Sequence, residues 1–151
     1  MKREGFSLLL GLALVSGASA AQDRGEWQAA SRTAESITGG VAFGDEKITI
    51  DFASFPIAQI RPLTVAEAVA LFHAEAGTAG QGNLYRLSIP GTKKFLNKNT
   101  LCGSEATDWM VTYVSGRTLE LAFFSGQKMP VLSAEALANT TSLCGTFTYV
   151  R

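Results

Sequence analysis

The sequence predicts a mainly β fold: a small antiparallel β-barrel or strongly curled sheet, with one short α-helix at about 65–76 and one disulfide. Three observations carry this. Apolar residues alternate with period two over most of the chain after residue 84, the strands follow one another without intervening helices, and the only two cysteines sit in matching Leu-Cys-Gly tripeptides at 101–103 and 143–145.

The chain begins with Lys2 and Arg3, a ten-residue apolar run Phe6–Val15, and Ala18-Ser19-Ala20, the pattern of a secretory signal peptide over residues 1–20 cleaved before Ala21. Ten residues reach about 15 Å as a helix, half a bilayer core, so no anchor is expected to remain. Residues 21–151 then form a single domain of 131 residues, periplasmic or secreted, with 11 basic and 12 acidic side chains. That balance excludes the basic face of a nucleic-acid binder, and no later apolar run reaches membrane-spanning length.

The opening of this domain is ambiguous. Trp27, Ala30, Ala34 and Ile37 share a helical face, while "SITG" and "VAF" read as extended pieces around a Gly39-Gly40 bend. Ile48, Ile50 and Phe52 alternate with Lys47, Thr49 and Asp51 as a strand with one wet face. "ASFPIAQIRP" holds two prolines and reads as an irregular extended segment. Thr64 and Glu67 form a capping box, behind which Val65, Val69, Phe72 and Ala76 recur at helical spacing up to a stop at Gly77. This helix is placed to plug or lid one end of the barrel.

Beyond a glycine-rich loop at 77–83, Tyr85, Leu87 and Ile89 alternate before Pro90-Gly91. Strands at 109–114 and 118–124 flank Ser115-Gly116-Arg117 as an antiparallel hairpin. A loop with one helical turn near 134–137 leads to a last strand ending at Val150, for five to seven strands in all. Trp27, Tyr85, Trp109, Phe123, Phe147 and Tyr149 are assigned to the core.

In an oxidising compartment Cys102 and Cys144 read as one staple, closing a loop of 43 residues worth about 4 kcal/mol in the chain-entropy model. A redox C-x-x-C motif is missing, and a metal site would need ligands beyond the single His73; neither metal nor cofactor is expected. His73, with Asp108 or Glu75 as conceivable partners, lacks a nucleophile elbow, and Glu67 and Glu75, eight apart, are better assigned to capping than to paired-carboxylate chemistry; an enzyme is not expected. Lys93, Lys94 and Lys98 around Phe95 form a basic edge, read as a solvated sheet edge or as a contact for an anionic surface. Ser125, Gly126, Gln127, Lys128, Met129 and Pro130 form the candidate partner-binding loop: a flexible start, a cation and a large apolar side chain, then a rigid proline.

Gly25-Glu26-Trp27, followed by a strand-rich chain with a late disulfide, resembles the small exported calycin-type barrels, whose first strand commonly opens with Gly-x-Trp. The chain departs from lipocalins in its early helix and in having no recognisable lipocalin arginine motif. Its size, disulfide and the turns at Ser115-Gly116 and Ser125-Gly126 are similar to those of lysozyme-inhibiting periplasmic barrels. The resemblance implies a binding or inhibitory protein without a cofactor. The chain is expected to be a monomer that acts on a protein partner in the manner of a hydrolase inhibitor, or on an envelope component; the alternative is a carrier of a small hydrophobic ligand inside the barrel.

Overall fold

A computed structural model describes residues 22–75, 77 and 79–151. The signal-peptide assignment and the cleavage point before Ala21 lie outside these residues, as does Ala76. The chain forms a closed antiparallel barrel of eight strands in sequence order: β1 Gly25–Ala29, β2 Val41–Phe43, β3 Lys47–Ile50, β4 Ala53–Pro62, β5 Gln81–Ile89, β6 Thr107–Ser115, β7 Thr118–Ser125 and β8 Leu143–Val150. Three helices join them, α1 Arg32–Ile37, α2 Val65–Phe72 and α3 Ala134–Asn139, with a 3-10 turn at Leu96–Lys98.

The period-two signal places one set of side chains inside the barrel. Trp27, Ile48, Ile50, Tyr85, Leu87, Ile89, Met110, Leu119, Leu121, Phe123, Phe147 and Tyr149 interlock there as a filled core. On β6 and β7 the other face is also covered. Leu84, Trp109, Val111, Tyr113, Ala122 and Phe124 pack outward against Ala68, Leu71 and Phe72 of α2 and against Leu132. The helix therefore does not plug an end of the barrel as the sequence predicts; it lies on the outer wall, because β6 and β7 are apolar on both faces and need a second layer.

Several local expectations change for identifiable reasons. "SITG" is not extended: Ile37 closes α1, whose Ser31 cap accepts from Ala34 N–H. "ASFPIAQIRP" is a full ten-residue strand, not an irregular segment. Its prolines survive because β4 changes partner at mid-length. Residues 53–56 pair with β3 and pairing with β5 begins at Ile57, while the Ile57 N–H still reaches back to Glu46, so the nitrogen of Pro56 faces the other way, beyond the last β4–β5 pair. Pro62 is the final residue of the strand. The capping box of Thr64 and Glu67 forms as expected, but α2 ends at Phe72, where His73 takes a left-handed conformation (φ 54°) as the C-terminal cap, well before Gly77. Phe52 does not continue the inward face of β3; it stands in the turn after it.

Closure depends on a narrow seam. β1 and β8 share only the pairs Gln28–Val150 and Ala29–Tyr149. Around them the Arg151 guanidinium stacks on the Trp27 ring at 4.0 Å and donates to the carbonyls of Arg24 and Gln22, each at 2.8 Å. The Tyr149 hydroxyl meets Thr38 Oγ1 at 2.6 Å. Asp23, 4% exposed, inserts its carboxylate between the Tyr85 hydroxyl (2.9 Å) and Thr112 Oγ1 (3.2 Å), both of which donate to it. Burial, with the Asp23 carboxylate as a second cause, pushes the Tyr85 phenol above its ordinary range; burial alone does the same to Tyr149 against the lowering hydrogen bond from Thr38.

Cys102 and Cys144 are joined, with Cα atoms 4.9 Å apart, tying the β5–β6 connection to the last strand. The two glycines that follow them differ. Gly103 is left-handed (φ 64°) in a turn closed by Glu105 N–H on the Cys102 carbonyl, whereas Gly145 lies inside β8 beside the Phe147 ring.

Two stability outcomes follow. Replacing both cysteines by serine removes about 4 kcal/mol of the stability measured by urea unfolding of the oxidised protein. His73→Gly, placing glycine where a left-handed residue is required, raises it by about 0.5–1 kcal/mol.

Candidate functional site

In an antiparallel barrel in sequence order, successive connections alternate between the two ends. The β1–β2, β3–β4, β5–β6 and β7–β8 connections share one end, and the other three share the opposite one with Asp23 and Arg151. Three of the features singled out in the sequence therefore gather at the first end, the disulfide, the lysine cluster and the loop Ser125–Pro130, whereas Glu67, His73 and Glu75 belong to the β4–β5 connection.

The lysine cluster is not a sheet edge, since the closed barrel has none. It belongs to a cap. Phe95 and Leu101 are buried in the barrel core, with the Phe95 ring edge-on to Phe55 at 6.1 Å. Lys93 folds over the Phe95 ring at 5.6 Å and is half-buried, while Lys94 and Lys98 are exposed.

In the candidate binding loop, Ser125 is the buried last residue of β7 and the Gly126 carbonyl is held by Trp109 Nε1 at 2.9 Å. Gln127, Lys128 and Met129 project outward. The chain then runs as Pro130, exposed Val131 and buried Leu132, the last of which anchors it on the outer wall. Between this strip and α2 lies a groove of about 700 Å³, lined by Ala66, Val69, Ala70, Met129, Val131 and Ala134 with Arg61 and Glu67 at its rim. Val131 is 62% exposed, Val65 70%, Met129 42% and Val69 38%. The periodicity that assigns Val65 and Val69 to the buried stripe of α2 is thus only half right. Ala68, Leu71 and Phe72 face the barrel, and the two valines are surplus apolar surface turned outward. Signals for the groove are present in the sequence, in a helix apolar on more than one face and a "MPVL" strip, but nothing local says that the two meet.

The rim is electrostatically fixed. Arg61 grips Glu67 with two parallel bonds of 2.7 Å, while Glu67 also accepts from Thr64 N–H at 3.0 Å. The hydrogen bond from Arg61 holds the Glu67 carboxyl below its usual range. Glu120 behaves oppositely: desolvation raises it, partly offset by the nearby His73. His73 thus faces Glu120 and not Asp108, which pairs with Arg86. Since α2 stops at Phe72, Glu67 and Glu75 are not stacked along a helix. Among the described residues, no three His, Cys, Asp or Glu side chains converge as a metal site, and no helix is long and apolar enough to cross a membrane.

No protein-family model, curated protein or solved structure matches the chain. What the site can do must be read from its own chemistry: a rigid wall, an apolar trough, a fixed ion pair at the rim, and loops raised at one end.

The two carboxylates give pH effects of opposite sign. Glu67, lowered in the fold, adds stability above a pH of about 4.5 that is lost as pH falls through its folded value. Glu120, raised in the fold, costs stability once ionised; its favourable contribution is full below about 4.5 and is lost as pH rises through its folded value. Glu67→Gln is expected to lower stability near neutrality by up to about 1 kcal/mol and to flatten the acid limb. Glu120→Gln is expected to raise stability near neutrality and leave acid stability unchanged, both read from urea midpoints across pH.

Proposed function

We propose that the chain is an exported binding protein that holds a protein partner in the apolar groove between α2 and the Met129–Ala134 strip, without catalysing a reaction. The observation that carries this reading is the set of three large apolar side chains, Val69, Met129 and Val131, left exposed along one groove, with exposed Val65 one turn away on α2. Isolated exposed valines need no explanation; a cluster lining a trough does.

The setting supports a binding role. The disulfide suits an oxidising compartment, and a stapled barrel keeps the groove in one shape, which lowers the ordering cost of association. The packed interior, with Phe123, Phe147 and Tyr149 essentially inaccessible, favours recognition on the outside over a ligand carried within. The closed barrel is in keeping with the calycin-type resemblance, and with it an inhibitor-like mode of action on a hydrolase or action on an envelope component.

A photo-crosslinking residue at Val131, exposed to the envelope fraction of the producing cell, is expected to give one discrete adduct that is lost when Val69→Glu is added. The same label at Lys47, on the far side of the barrel, is expected to give none. Stoichiometric uptake of a hydrophobic fluorescent dye that survives Val69→Glu would instead place a ligand inside the barrel and overturn the groove reading.

A further inference from the structure

At the end of the barrel that carries Gln22 and Arg151, a recess of about 310 Å³ lies between the segment before β1, the β2–β3 turn and the middle of β4. Asp23 is 4% exposed, and its carboxylate is only half used. The Tyr85 hydroxyl and Thr112 Oγ1 both donate to Oδ2, and among the described residues no donor reaches Oδ1. Nor is Oδ1 sealed in the core. The one described side-chain polar atom that is both sealed and unbonded is Arg86 Nη1. The free oxygen therefore opens on the recess that Asp23 lines. Among the described residues no cation pairs with Asp23; Arg24, its neighbour in the chain, is turned to Asp45. A carboxylate held out of water without a counter-charge costs free energy, which a bound cation would recover.

The other polar side chains of the recess present acceptors. The Tyr85 hydroxyl donates its proton to Asp23, which leaves its oxygen lone pairs free. The Gln59 amide nitrogen donates to Asn83 Oδ1 at 2.9 Å, which leaves Gln59 Oε1 as an acceptor too. Asp45 and Glu46 stand exposed at the rim, so three carboxylates line the recess with a single guanidinium, that of Arg24. Both partners of the Arg24–Asp45 pair are exposed, and the pair straps the residue before β1 to the β2–β3 turn across the mouth. Phe43, Ile57 and Ala58 add apolar surface.

We infer that this recess binds a small primary alkylammonium, its nitrogen on Asp23 Oδ1 and its alkyl stem on Phe43 and Ile57. An ammonium brings three donors and no acceptor, the complement of this lining. A guanidinium fork engages both oxygens of a carboxylate, and Oδ2 already holds two bonds. A metal ion draws on several anionic or imidazole ligands, and among the described residues no three converge. The volume is that of a small ligand pocket, and the strap across the mouth favours a free molecule over a side chain carried on a polypeptide. The recess shares no lining residue with the groove beside α2.

The test is isothermal titration calorimetry of the untagged exported protein with n-butylammonium chloride, with n-butanol and potassium chloride as controls. A single site for butylammonium is expected, with no binding of butanol and no displacement by an equal concentration of potassium. Asp23→Asn, with an unchanged circular dichroism spectrum, is expected to weaken binding by about tenfold or more. Because that change also touches the bonds to Tyr85 and Thr112, a second variant leaves them in place. Gln59→Lys carries a tethered ammonium into the recess and is expected to exclude butylammonium while the fold is kept. No binding by the parent, equal binding of butanol, displacement by potassium, or parent-like binding by either folded variant overturns the proposal. So does a lysine-containing pentapeptide that binds about tenfold more tightly than butylammonium, which would assign the recess to the side chain of a protein. The groove is read by crosslinking and the recess by calorimetry, so either can fail while the other stands.

Discussion

A barrel of eight strands exists only if its first and last strands meet, and here they meet over two residue pairs. Everything else in the structure depends on that narrow seam. Were it open, β1 and β8 would be unpaired edges, the core would face water along the gap, and the loops at both ends would lose their common frame. The seam holds because side chains add what the ladder lacks. Arg151 stacks on Trp27 and binds two carbonyls across the gap, Ser31 and Thr148 exchange bonds beside it, and Thr38 meets Tyr149. Asp23 fixes the segment before β1 from inside, to Tyr85 on β5 and Thr112 on β6. A buried carboxylate is costly unless its oxygens are satisfied, so this one specifies a single placement of the amino-terminal segment.

Features encoded within a few residues were legible in the sequence. Capping of α2 by Thr64 and Glu67, the β6–β7 hairpin around Gly116, the inward alternation of Tyr85, Leu87 and Ile89, and the pairing of the only two cysteines all appear as read. Each rests on a local rule or, for the cysteines, on arithmetic. Features that depend on distant partners were not. The two-proline strand β4 is decided by a handover from β3 to β5 that no window of sequence displays. The outward turn of Val65 and Val69 is decided by which face of α2 finds Val111 and Phe124 on the wall. Arg151 reads as an ordinary terminal cation until the barrel brings it to Trp27.

The candidate site divides in the same way. Its ingredients, the lysines, the Met-Pro strip and the disulfide, stood out by composition. Their convergence at one end follows from strand order, and the groove follows from α2 leaning on the outer wall. Phe52 was missed because period-two reading extended β3 by two residues; the turn, whose residues depart from the usual Asn-Gly, gave no breaker signal.

The meeting of the first and last described residues has one more consequence. Gln22 and Arg151 are tied together at the end remote from the Phe52 turn, the lysine loop and the disulfide. Anything joined at Gln22 or at Arg151, whether a reporter, a surface linker or a second domain, would leave the barrel at that end and keep the opposite mouth clear. The natural place to reopen the ring in a circularly permuted chain is then the two-residue turn at Gly116-Arg117, after joining 151 to 22 across a gap the fold has already closed.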